Sequence, residues 1–353
     1  MQGDMTTEAP PGINLETLVP WFSEHVEPVQ SLTATVVGHG RSNITYRVET
    51  EDGRAWVLRR PPLSHVQARA HDMGREFTVI SALHPTGFPV PQTFAICDDD
   101  SVIGAQFYIM EFVDGLIAVD PNVVAQKFSE DERRKIGEEL VDVLVRLHSF
   151  DPNEIGLGDF GKPDGFVERQ VRRFSEQLEN IRYRDTPELD DLAKRLARSL
   201  PPQGKPGIVH GDYRLDNAIL NDEGHLIAVL DWEMCTLGDS LTDLGLLRMY
   251  WGRPTSAQIA VGSASVMALP GFPTWEEAAA RYEGKSGASL ENIDFYTVLA
   301  HFKLGVILEN MYKRFLGGGT VGAGFEMIGQ QAVLLGKGGL EIADSSSIES
   351  LRG

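Results

Sequence analysis

The first third of the chain alternates. Ile44, Tyr46 and Val48 are separated by polar residues, Glu51-Asp52-Gly53-Arg54 has the composition of a turn, and Ala55-Trp56-Val57-Leu58 resumes the extended pattern. Period-two runs bounded by turn residues predict strands. One helix is expected around 68–83, before Pro85, Pro89 and Pro91 interrupt the chain, and Gln106-Phe107-Tyr108-Ile109-Met110 reads as a further strand. Beyond residue 115 the period becomes helical. Ser129-Glu130-Asp131-Glu132 has the form of a capping box, and Ile136, Leu140, Val143, Leu144 and Leu147 behind it share one helical face. Further helices are predicted over 166–178 and 189–200. Residues 208–231 return to short strands, with a hairpin at Asn221-Asp222-Glu223-Gly224. The remainder is helical apart from a Pro/Gly-rich break at 268–273. There Thr274-Trp275-Glu276-Glu277 forms a second capping box, and Gly284 is expected to end its helix. A β-rich first part and an α-rich second part with a short β insert predict an α+β, two-lobe architecture.

The length of 353 residues suits two lobes. The pattern divides the chain into a polar tail at 1–12, a first lobe at 13–113, a second at 114–342 and a small, polar tail at 343–353. The net charge is −19, and the acidity is spread along the chain: the first 115 residues hold 7 basic and 15 acidic residues. That argues against a nucleic-acid partner. No apolar run approaches the roughly 18 residues of a membrane span, so no membrane insertion is expected. Met1 to Pro11 lacks the basic and apolar regions of a signal peptide. Cys97 and Cys235 have no spacing that suggests zinc or a disulfide framework, and two reduced thiols in a cytoplasmic protein is the expectation.

Candidate chemistry concentrates in His210-Gly211-Asp212-Tyr213-Arg214-Leu215-Asp216-Asn217 and Val229-Leu230-Asp231-Trp232. Phosphoryl transfer to a hydroxyl needs a carboxylate to take the hydroxyl proton, ligands for Mg2+, and cations along the phosphates. Asp212 can supply the first. Asn217, five residues on, and Asp231, fourteen further, can supply oxygen ligands of the kind Mg2+ takes. Arg214 can lean toward the transferring group.

This segment resembles the catalytic loop and metal-binding aspartate of the aminoglycoside phosphotransferase and choline kinase-like families, relatives of the protein kinases. The resemblance covers about residues 33–315. It implies a protein-kinase-like fold, ATP or GTP held with Mg2+ between the lobes, and a small-molecule hydroxyl as acceptor. Gly38-His39-Gly40-Arg41-Ser42-Asn43 is similar to the family's nucleotide-covering loop. It would bring backbone amides near Gly40, Ser42 and Asn43 to the phosphates, Gly38 and Gly40 permitting close approach. Val57 matches the roof over the adenine. Glu111 and Val113 match the hinge, whose backbone carbonyl and amide would read the base. One feature of the family is missing: the first lysine is Lys127, so Arg59 or Arg60 must replace the strand lysine at the α- and β-phosphates. Strand alternation places Arg59 with Val57, which selects Arg59. Glu76 then matches the helix glutamate that pairs with that cation.

Several further residues are given roles by the resemblance or by their position. Asp239 and Asp243 match aspartates that brace the catalytic loop or cap the next helix, and Glu233 could touch the metal through water. His301, Lys303, Glu309, Tyr312 and Arg314 share a late helix that could line a substrate cleft, although a solvated or core-packed helix is the plainer reading. Implied acceptors include aminoglycosides, amino alcohols, homoserine-like metabolites, sugars and hydroxyacyl thioesters. The run Val57-Leu58-Arg59-Arg60-Pro61-Pro62 resembles a branch associated with acyl-CoA dehydrogenases, which tilts the expectation toward a hydroxyacyl substrate. Two other readings stand beside this one. A pseudo-kinase that binds nucleotide or acyl ligand without transfer is favoured by the missing lysine. A protein-serine kinase is opposed by the lack of an Ala-Pro-Glu segment after Asp231.

Overall fold

The computed structural model describes residues 9–37, 43–63, 72–251, 264–318 and 327–353. They form two compact units, Met1–Asp114 with Ile227–Glu233, and Gly115–Leu226 with Met234–Gly353.

In the first unit the alternating segments become strands. Its elements are α1 (Leu15–His25), β1 (Thr33–Val36), β2 (Ile44–Glu49), β3 (Ala55–Arg60), α2 (Met73–Leu83), β4 (Thr93–Cys97), α3 (Asp100–Ile103) and β5 (Phe107–Glu111). The strands make an antiparallel sheet in the order β1-β2-β3-β5-β4. The turn at 51–54 joins β2 to β3, closed by the Thr50 amide donating to the Arg54 carbonyl at 3.0 Å. One face of the sheet, carrying Tyr46, Val48, Leu58 and Ile109, shares a core with Leu18 and Phe22 of α1. β3 lies inside the sheet, so its two arginines are buried and each must find partners. Asp72 caps α2 through the Arg75 amide. The start expected at 68 lies outside the described residues.

In the second unit β6 (Leu116–Ile117) leads to α4 (Pro121–Lys127), α5 (Glu130–Ser149), α6 (Phe166–Ile181) and α7 (Pro187–Arg198). The short strands β7 (Pro206–Val209), β8 (Ala218–Leu220) and β10 (Thr236–Asp239) follow, with β9 (Leu226–Val229) falling but for Leu226 in the first unit's Ile227–Glu233 segment, then α8 (Leu241–Tyr250), α9 (Ala264–Met267), α10 (Trp275–Ser286), α11 (Ile293–Leu316) and α12 (Ile328–Ser345). β6 pairs with β8 and β7 with β10, both antiparallel. The core gathers α6, α7 and the buried face of α11, with Phe295, Leu299, Phe302 and Val306 fully covered. Both capping boxes form, at Ser129/Glu132 and Thr274/Glu277. The glycine that ends α10 is Gly287 at φ 71°, not Gly284, because the Gly287 amide reaches back to the Glu283 carbonyl at 2.8 Å.

The segment expected as a tail at 343–353 is packed instead, while of the tail expected at 1–12 residues 1–8 lie outside the described residues. Leu351 and Ala343 are fully buried in the second core, the Arg195 guanidinium reaches Asp344 at 2.5 Å, and the Ser346 hydroxyl donates to Asp294 at 2.7 Å. The small residues there permit close packing, which composition alone reads as disorder. At the other end, Arg60 donates to the Gly12 carbonyl and the Tyr46 hydroxyl to that of Pro11. No helix among the described residues is long and apolar enough to cross a membrane.

Candidate active site

The first unit gathers its candidate residues around Arg59. The Arg59 guanidinium stands 3.2 Å from Glu76 and 2.6 Å from Asp231. Arg60, its neighbour on β3, is instead occupied by the Gly12 and Ile103 carbonyls at 2.6 and 3.1 Å. Burial works against the charge on Arg59, but Glu76, Tyr108 and Asp231 outweigh it and hold its pKa above the ordinary value. Glu76 is only 1% exposed. Burial pushes its carboxyl up, Arg59 pulls it down, and the like charges of Asp231 and Glu233 push it up again, to about 7. One guanidinium therefore faces two carboxylates, and the cluster carries surplus negative charge.

Asp231 has φ 65°, the only non-glycine among the described residues with positive φ. For an L-residue that conformation costs about 1–3 kcal/mol, and such strain clusters at functional sites. The segment is pinned on both sides. The Val229 amide donates to the Pro89 carbonyl at 2.8 Å, the Trp232 indole donates to the Val229 carbonyl at 3.0 Å, and the Trp232 ring meets Phe88 edge-on. Asn43, 3% exposed, donates its side-chain amide to Glu233 at 3.0 Å. No local feature of the sequence announces that link across 190 residues. Val57 is buried opposite Met110. The Glu111 amide and carboxylate both bond the Gln92 backbone, and Val113 is half-buried. Gly38, Gly40 and Ser42 lie outside the described residues.

The second unit builds the loop after β7. The carboxylate of Asp243, on α8, accepts from the amides of His210 at 2.7 Å and Gly211 at 2.8 Å. The Asp212 amide donates to the His210 ring at 3.1 Å. Gly211 sits at φ 90°, and a Cβ there would come within 2.7 Å of Met234, so the turn admits only glycine. The Asn217 side-chain amide donates to Asp212 twice, to its carbonyl at 2.8 Å and its carboxylate at 2.9 Å. Arg214 lies 3.6 Å from both Asp212 and Asp216, with its guanidinium over the Tyr250 ring at 5.0 Å. The Tyr213 hydroxyl ties the loop to α5 through the Leu140 carbonyl at 2.7 Å.

Asp243 is fully buried. Burial pushes its carboxyl up, but hydrogen bonding to His148, the histidine charges and the Gly211 amide outweigh it and hold the pKa below the ordinary value. His148 reaches Asp243 through one ring nitrogen at 3.3 Å and the Tyr282 hydroxyl through the other at 2.8 Å. That link was not foreseen, since a histidine inside a regular helix gives no local sign of its partner. Asp239 accepts from the Leu241 amide at 3.1 Å, so it caps α8, and from the Tyr296 hydroxyl at 2.7 Å.

A cavity of about 70 Å³ adjoins Asp212, walled by Met234, Leu246, Leu304 and Ile307 with Tyr250 and Lys303. Of the five late-helix residues considered as cleft-lining, Lys303 alone is in this wall. Glu309 is buried and bound by Arg184 and Tyr183. His301 is buried against the Thr297 carbonyl, and burial pushes it down to about 4. Tyr312 packs on Tyr183 and Phe315, and Arg314 is exposed.

The model of the family described as "Phosphotransferase enzyme family" matches residues 33–280. The chain belongs to this phosphotransferase family. A Ralstonia eutropha protein provisionally described as an aminoglycoside phosphotransferase is 32% identical, with a TM-score of 0.80 over 94% of this chain and 98% of that one. An ethanolamine kinase from Plasmodium vivax shares the fold, with a TM-score of 0.59 at 15% identity over 90% of this chain and 85% of its own. The fold of this phosphotransferase is thus α+β and protein-kinase-like, with a β-rich N-terminal and an α-rich C-terminal lobe. Acyl-CoA dehydrogenase family member 11 of Gallus gallus is 33% identical over 333 residues, which cover 92% of this chain and 42% of the relative. The chain thus spans about two fifths of that relative's length.

Proposed function

We propose that this phosphotransferase moves the γ-phosphate of ATP, with Mg2+, to a hydroxyl of a small-molecule metabolite. The observation that carries the reading is the Asp212–Asn217 pair, in which one amide group holds the catalytic carboxylate by both its backbone and its side chain. Asp212 orients the acceptor hydroxyl and takes its proton as the oxygen–phosphorus bond forms and ADP leaves. A positioned general base of this kind contributes about 10²–10⁴ in rate. Arg214, beside Asp212, and Arg59 offset the charge that develops on the phosphates. Gly38, Gly40, Ser42 and Asn43 cover the phosphates, Val57 roofs the base, and the Glu111 carbonyl and Val113 amide read it. GTP is the alternative donor.

The donor set fits a metal ion. The Asn217 amide nitrogen is committed to Asp212, which leaves its carbonyl oxygen as the ligand a hard cation takes. Asp231 offers the second ligand, from a strained residue in a cluster with surplus negative charge. Phosphates and water would complete the coordination of such an ion. Bound Mg2+ would neutralise charge at the β- and γ-phosphates.

For the acceptor we assign a hydroxyacyl or amino-alcohol compound. The name of the Gallus gallus relative supports the first. We place the activity in the cytoplasm, in keeping with two buried cysteines that form no disulfide. One observation favours a second reading. Arg59 replaces the lysine that the family resemblance implies and is engaged by Asp231, which favours a pseudo-kinase that binds without transfer. ATP consumption across a panel of hydroxylated metabolites decides. We expect Mg2+-dependent turnover with at least one acceptor, reduced at least about 10²-fold in Asp212→Asn. Nucleotide binding without turnover on any acceptor overturns transfer in favour of the second reading.

A further inference from the structure

The cavity beside Asp212 has in its wall a cation, Lys303, that the proposed transfer does not use. Its walls are apolar at Met234, Leu246, Leu304 and Ile307, and Lys303 is the one cationic residue in them. The Lys303 ammonium lies over the Phe174 ring at 5.3 Å and makes no hydrogen bond or ion pair with any described residue. A half-buried ammonium without a carboxylate partner is costly unless a ligand supplies one. Burial and the like charge of Arg173 push it down, Asp243 and Asp212 pull it back up, and at about 8 it stays largely charged near neutral pH.

We propose that Lys303 sets acceptor specificity: its ammonium receives a negatively charged oxygen of an otherwise apolar hydroxy compound while Asp212 receives the hydroxyl. The inference rests on the assignment of Asp212 as the base and chooses between the acceptor classes left open above. An ammonium-bearing acceptor would bring like charge against Lys303, which an interface disfavours strongly, whereas a carboxylate would form a charge-assisted hydrogen bond. The apolar walls then take the carbon chain, and the small volume favours a short or medium one.

The test uses three probes of one chain length: a hydroxy carboxylate, the matching diol and the matching amino alcohol. Binding is measured by calorimetry and transfer by ATP turnover, in the full chain and in Lys303→Met, Lys303→Arg and Lys303→Glu. Wild type should bind the carboxylate at least about tenfold more tightly than the amino alcohol, as one charge-assisted bond provides. Lys303→Met should level the two, Lys303→Arg should restore the order, and Lys303→Glu should reverse it. A thermal melt of each variant checks that it is folded, and the arginine variant keeps the charge should the methionine variant fail that check. Equal or absent binding of the three probes, or a preference unchanged in the folded variants, overturns the proposal. Retained binding preference with no transfer of any probe would instead sink the kinase reading and leave the role of Lys303 standing.

Discussion

Glu76 and Asp243 are both carboxylates buried to within 1% of complete, one in each unit, and their pKa values move in opposite directions. Asp243 receives two backbone amides and a histidine, so its negative charge is matched bond for bond. Glu76 shares one guanidinium with Asp231 and feels Glu233 as well, so its charge is in surplus. The difference separates two uses of a buried acid. Asp243 is part of the scaffold, because its hydrogen bonds fix the backbone that carries Asp212. The Glu76 cluster keeps an unmatched negative charge, which would suit the cation proposed above.

The comparison breaks most visibly at Asp243. Asp243→Ala should lower stability by about 3–5 kcal/mol, since it strands buried donors and His148. Denaturant unfolding measures this, and a loss under about 1 kcal/mol would remove Asp243 from the scaffold. The next effect is in pH. The Glu76 carboxyl rises from 4.5 to about 7 on folding, so the folded state binds the extra proton. Its contribution is present in full below about pH 4.5 and is lost as pH rises through about 7, up to about 3 kcal/mol. Asp243 has the opposite sign: its depressed pKa gives stability above the unfolded value of 3.8, lost as pH falls through the folded one. Stability curves of wild type and Glu76→Gln should therefore converge at low pH and part toward pH 8, with the variant the more stable. Parallel curves would show that Glu76 does not titrate in this window.

The smallest effect is expected at Asp231. Asp231→Gly relieves the positive φ and leaves Arg59 matched one-to-one with Glu76. Melting should show a protein as stable as wild type or more so, by up to about 1 kcal/mol, because relief of about 1–2 kcal/mol of left-handed strain exceeds the about 0.4–1 kcal/mol that a glycine costs through the unfolded chain, despite the loss of a 2.6 Å ion pair. A clear destabilisation would make Asp231 a structural partner of Arg59 and blur the contrast with Asp243.

Much of this was legible in the chain because its signals are local. Alternation marked β2 and β3, the two capping boxes marked the starts of α5 and α10, and the spacing of Asp212, Asn217 and Asp231 marked the candidate site. Strand parity separated Arg59 from Arg60, and the two arginines do have different partners in the sheet. What was hidden depends on contacts distant in sequence. The Asn43–Glu233 and His148–Asp243 bonds leave no periodic trace. The packed C-terminal residues look like a tail because small polar residues serve equally in a tail and in a tight helix contact. Lys303 is one charge on a helix that is otherwise core, and only the cavity tells it from a solvated lysine.

The claim that the Arg59 cluster is a metal-dependent nucleotide site is tested most directly by thermal denaturation with ATP, titrating Mg2+ in wild type and in Asp231→Ala. We predict stabilisation by ATP that needs the divalent ion in wild type, on the order of 2–3 kcal/mol at a hundredfold excess over Kd, and that disappears in the variant. Equal stabilisation of both proteins, or a shift indifferent to Mg2+, would contradict it.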